Sequence, residues 1–106
     1  MSHMHVLFMK LTAAGAKDLE AALAAVDATR ADLLAPLEIR EESFLVTMGE
    51  FDLITVFEVA DTSAAAFYAL ELARTGYVTT QTVCGFTPGD LKAAVAQIKL
   101  TRGSQG

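Results

Sequence analysis

At 106 residues and 11.3 kDa the chain has the size of one domain. Hydrophobic residues make up 53% and charged residues 20%, which argues against intrinsic disorder. A net charge of −5, with no cluster of Lys or Arg, argues against binding nucleic acid.

Residues 1–3 (Met1-Ser2-His3) read as a cloning remnant ahead of a start at Met4. The folded domain is expected over residues 4–100, and the small, polar residues 101–106 as a flexible tail. No basic stretch followed by an apolar one opens the chain, and no apolar run approaches the roughly 18 residues that span a bilayer. A cytoplasmic protein without membrane contact is the expectation.

His5 to Leu11 is short, apolar and ended by Thr12-Ala13-Ala14-Gly15, which predicts a buried strand. From Ala16 to Leu34 the period changes: Leu19, Leu23, Val26 and Leu33 recur at near-helical spacing, and Pro36 closes the helix. Ile39–Met48 and Leu53–Val59 alternate with a period of two, and the short turn Gly49-Glu50-Phe51-Asp52 joins them as a hairpin. Asp61-Thr62-Ser63 offers N-cap side chains for an alanine-rich helix to Arg74, with Gly76 as its left-handed stop. Tyr77–Phe86 is extended again. Thr87-Pro88-Gly89-Asp90 then opens a last helix carrying Leu91, Val95 and Ile98 on one side.

The order is β-α-β-β-α-β plus a C-terminal helix, an α+β chain with a ferredoxin-like antiparallel sheet. With helices on one side, the other face of such a sheet should be polar. Here both faces of residues 53–59 and 6–9 are largely apolar. The expected cover is a second copy, making a homodimer or higher homo-oligomer that pairs as a dimeric α+β barrel. The other arrangement is a monomer whose last helix caps its own sheet.

Thr79 and Gln81 alternate with Thr80 and Thr82, so neither face of the last strand is purely apolar. Buried hydroxyls and amides need partners, at about 1–3 kcal/mol each. Local bonds satisfy them, or they line a ligand cavity in which Gln81 orients the guest. Thr79, Tyr68, Thr55, Phe57 and Arg30 are the other candidate wall residues. His5 reads as a strand-edge residue. Cys84, between neutral neighbours, reads as a buried, inert thiol. With Met9 and Met48 these two could form a soft-metal set, but no metal-binding spacing is present, so neither metal nor cofactor is expected. Glu38, Glu41 and Glu42 around Arg40 read as a solvated strand entrance. The chain contains no Asn and no Trp, which removes mechanisms that hold an oxyanion with an Asn amide. The leading reading is a protein that binds a small, largely apolar molecule in a barrel cavity. The alternatives are a cofactor-free cyclase, isomerase or oxygenase acting on an aromatic or polyketide-like substrate through Tyr68 or Gln81, and a plain interaction module. Whether it is an enzyme stays open.

Gly49 and Asp52 at the hairpin, the alanine-rich helix, Gly76, Thr80, Thr82 and Phe86-Thr87-Pro88 follow one another in an order that resembles the GYD domain family of small bacterial proteins. The resemblance covers almost the whole chain and implies the dimeric α+β barrel superfamily, without implying an activity. Phe51 stands where the family usually has tyrosine, and the neutral Thr79 and Gln81 stand where it commonly has charged residues. Read from the residues alone, Gly49 supplies the turn, Phe51 packs over the hairpin end and Asp52 accepts backbone N–H bonds.

Overall fold

A computed structural model describes residues 3–105. In chain order the elements are β1 (His3–Leu11), α1 (Ala13–Lys17), α2 (Leu19–Leu33), β2 (Arg40–Val46), β3 (Leu53–Val59), α3 (Thr62–Arg74), β4 (Val78–Gly85) and α4 (Pro88–Gln105). The strands form one antiparallel sheet in the order β2-β3-β1-β4, the ferredoxin-like arrangement. His3, set aside above with the first two residues, pairs with Val59. Residues 101–105 continue α4.

The first helical region is two helices, where periodicity alone predicts one. Thr12 caps α1 by accepting from Gly15 N at 3.1 Å. Asp18 leaves helical geometry and caps α2 by accepting from Ala21 N at 3.1 Å. A carboxylate that serves as N-cap ends one helix as it starts the next. The second strand runs Arg40–Val46, shorter than expected at both ends, and its register shifts between Glu41 and Ser43. Such a bulge bends the strand and disturbs its alternation. Asp61 caps α3 through Ser63 N at 2.9 Å, and hydrogen bonds from the Ser63 hydroxyl and backbone hold its carboxyl below the usual value. Gly76 follows the C-cap Thr75 with φ +80°.

One face of the sheet carries the core. Leu7 and Met9 of β1, Leu53, Phe57 and Val59 of β3, and Val78 of β4 meet Val26 of α2 and Ala65, Tyr68, Ala69 and Leu72 of α3. Phe67 and Leu70 lie on the exposed side of α3. On the opposite face of the sheet the register brings Leu45, Ile54, Val56, Val6, Phe8 and Val83 together. The centre of this face is apolar, with Lys10, Glu58, Thr79 and Gln81 toward its margins, and none of α1–α3 covers it. Nor does α4 cap it: every residue from 86 to 103 is exposed.

Asp52 ties the hairpin to β1. Its Oδ2 accepts from Leu11 N at 2.8 Å, its N donates to Met9 O at 2.9 Å, and its carbonyl accepts from Thr47 N at 2.8 Å. Beside it Phe51 packs on Phe8 with ring centroids 4.7 Å apart, and Gly49 takes φ +127° in the turn. Asp52→Ala is expected to destabilise the protein by about 1–2 kcal/mol, the value of one charge-assisted hydrogen bond and the orphaned Leu11 N–H. Urea unfolding measures it, and an unchanged midpoint would contradict this role.

Candidate functional site

Two features between the helices and the sheet stand out chemically. The first is a polar cluster under α2. Arg30 leaves the second half of α2 and reaches Glu41 on β2, donating from Nε to Oε2 at 3.2 Å and from Nη2 to Oε1. Arg30 also donates to Asp27 Oδ1 at 3.0 Å and lies over the Phe44 ring, its Cζ 4.0 Å from the centroid. Thr55 Oγ1, fully buried on β3, donates to Glu41 Oε2 at 3.1 Å. The Glu41 side chain is only 14% exposed and that of Arg30 24%, so this pair is largely withdrawn from water. The hydrogen bond to Glu41 holds the Arg30 guanidinium above its ordinary pKa.

Four of the expected wall residues gather here: Arg30, Thr55, Phe57 and Tyr68. Phe57 meets Tyr68 edge-on at 5.8 Å. Tyr68 is fully buried in the core, and its phenol has no hydrogen-bond partner among the described residues. Burial pushes its pKa well up, the Glu41 carboxylate adds to that, and nearby Arg30 opposes it. A phenol so enclosed stays protonated at neutral pH. Thr79 and Gln81 lie elsewhere: they pair with Lys10 and Phe8 on the open face. Tyr68 and Gln81 are therefore on opposite sides of the sheet and cannot act on one substrate within a single chain.

The second feature is a groove of about 430 Å³ between α3 and β4. Ala65, Ala66, Ala69 and Leu70 form its helix wall, and His5, Thr82, Cys84 and Thr62 supply its polar atoms. His5 is 5% exposed, stacked on Phe57 at 5.6 Å, and neither ring nitrogen has a hydrogen-bond partner among the described residues. Burial first, and the neighbouring His3 second, lower its pKa. At neutral pH the ring is uncharged, with one N–H donor and one acceptor nitrogen. His5 is thus no edge residue: β1 is an inner strand, and position 5 points under α3. Cys84, its cross-strand neighbour, is exposed where a buried thiol was expected, because β4 is an outer strand. The sequence signal for His5 was its place among the alternate positions 5, 7 and 9, all buried.

The acidic run reads differently as well. Arg40 pairs with Glu42 and Glu58 in the open, as a solvated entrance should, whereas Glu41 turns inward. Among the described residues no group of three His, Cys, Asp or Glu side chains is disposed to hold a metal, and Met48 is 98% exposed, away from buried Met9.

Solved structures are similar in fold. MtbAldR aligns with a TM-score of 0.58 at 9% identity over 80% of this chain, and the likeness spans 52% of MtbAldR. The C-terminal domain of the MgtC protein from Mycobacterium tuberculosis aligns with a TM-score of 0.51 at 15% identity, over 80% of this chain and 88% of that domain. At such identities only the fold is shared. No curated protein sequence matches. The GYD domain, by contrast, matches residues 5–95, a span that holds the Asp52 clasp, Gly76, β4 and the groove: the chain belongs to the GYD domain family.

Proposed function

We propose that this protein is a homodimer that binds a small, largely apolar molecule in the groove between α3 and β4, with His5 as the group that orients it. The carrying observation is His5 itself. A neutral imidazole that is nine-tenths buried, with both nitrogens unpartnered among the described residues, lines an otherwise alanine-rich groove. Leaving such polar atoms unpaired costs on the order of 1–3 kcal/mol. A guest with an apolar body and one hydroxyl, amide or acid group meets that need. The dimer is supported by the uncovered apolar face, on which Thr79 and Gln81 would border the partner. The exposed thiol of Cys84 suits a reducing, cytoplasmic setting. No helix among the described residues is long and apolar enough to cross a membrane.

Phenol is a fitting probe: an apolar ring with one hydroxyl. Its titration is expected to shift the amide signals of Ala65, Ala69 and Thr82 saturably. Ala66→Trp, which fills the groove from an exposed position, abolishes the shifts, and His5→Phe weakens binding about tenfold, the worth of one hydrogen bond. No saturable shift in the wild type, or shifts untouched by Ala66→Trp, would sink the reading.

A pH effect accompanies this site. His5 titrates below 6.5 in the folded chain and near 6.5 in the unfolded one, so between those values the unfolded chain binds more protons. The contribution is fully present above pH 6.5 and is lost as pH falls toward the lowered folded value. His5→Phe should flatten the stability profile over that window; identical profiles for the two proteins would contradict the burial of a neutral ring.

A further inference from the structure

We infer that α4 of one copy packs across the outer strand β2 of a second copy. This rests on the dimer proposed above and adds how it is clasped. α4 leaves β4 after the two-residue link Phe86-Thr87, and its start is fixed: Thr87 N donates to Asp90 Oδ2 and Asp90 N to Thr87 Oγ1, both at 3.0 Å. Leu91, Val95 and Ile98 form a stripe on the helix, yet all three are exposed. A protein helix draws most of its stability from packing such a face. The chain's radius of gyration is 17.3 Å, with a long dimension of 62 Å, where a compact chain of this length has about 13 Å.

The matching surface lies at the opposite edge of the same sheet. β2 ends in exposed Leu45 and Val46, one on each face of the strand, followed by exposed Met48, with the acid Glu50 alongside and Glu42 shared with Arg40. Charge favours a second copy as the occupant. α4 carries Lys92, Lys99 and Arg102 against the single acid Asp90, which leaves five bases against twelve acids in the rest of the chain. A basic apolar helix and an acidic apolar edge on one chain are self-complementary, and twofold symmetry makes the contact twice. A hollow of about 620 Å³ at the root of α4, lined by Phe86, Pro88, Leu91 and Ala94, is roomy enough for a partner side chain the size of methionine.

The test uses the full-length Cys84→Ser protein in two versions, one with Val95→Cys and one with Met48→Cys, carrying tags of different length. Both sites are exposed, so the fold should tolerate the changes. The versions are mixed under dissociating conditions, reassembled and gently oxidised, and sedimentation is run in parallel. The expected result is a disulfide-linked pair holding one chain of each version, approaching half of the protein, the share of mixed dimers that random reassembly gives. A dimer that forms no such link overturns the clasp alone. A monomer in sedimentation overturns the clasp together with the dimer on which it rests.

Discussion

Replacing Gly15 with alanine should destabilise the protein by about 3 kcal/mol, against the gain of about 1 kcal/mol that alanine normally brings to a helix. The reason is a close approach of backbone. A Cβ at Gly15 would stand 2.2 Å from the Tyr77 carbonyl oxygen and 3.1 Å from Leu11 Cδ2. Backbone yields less readily than the end of a side chain, so α1 must move off the β4 entry. That movement breaks two further links: Thr12 N donates to Tyr77 O at 2.9 Å, and Thr12 Oγ1 donates to Gly76 O at 2.7 Å. Gly89→Ala is the control, since its Cβ would meet Thr87 Oγ1 at an ordinary 3.6 Å. Urea unfolding of both variants checks the pair. Equal effects would show that the approach at Gly15 is not tight.

Arg30→Leu should cost about 3 kcal/mol, at the low end for a broken buried ion pair because both partners keep some solvent contact. The loss is not chiefly that of the attraction. Glu41 would be left beneath α2 with only the Thr55 hydroxyl as its donor, and Phe44 would lose the cation above its ring. Adding Glu41→Leu should restore more than half of the stability, since two apolar side chains in contact replace two desolvated charges. A double-mutant cycle in urea reads the coupling. Additive losses would mean that Arg30 and Glu41 do not depend on each other.

Local signals in the sequence located most elements, because their causes are local. Alternation marks β3, the Asp61 cap and Gly76 bound α3, and Thr87-Pro88 opens α4. Asp18 was harder to read: an acid near the start of a helix is commonplace, and only its geometry reveals that it divides two helices. The site was less legible still. Arg30, Glu41, Thr55 and Tyr68 are scattered along the chain and meet through sheet register and the seating of α2 and α3. Alternation separates Thr79 and Gln81 from Thr80 and Thr82, but does not say which pair faces the helices. For His5 and Cys84 the deciding fact is strand order: neighbours across one ladder, one lies on an inner strand and the other on an outer one.

Native mass spectrometry of the protein taken from its own host at neutral pH tests the groove beside His5 most directly. The expected spectrum is a dimer of the 11.3 kDa chain carrying one small added mass per subunit, with that mass missing from Ala66→Trp. A bare monomer, or an added mass that survives when the groove is filled, would contradict it.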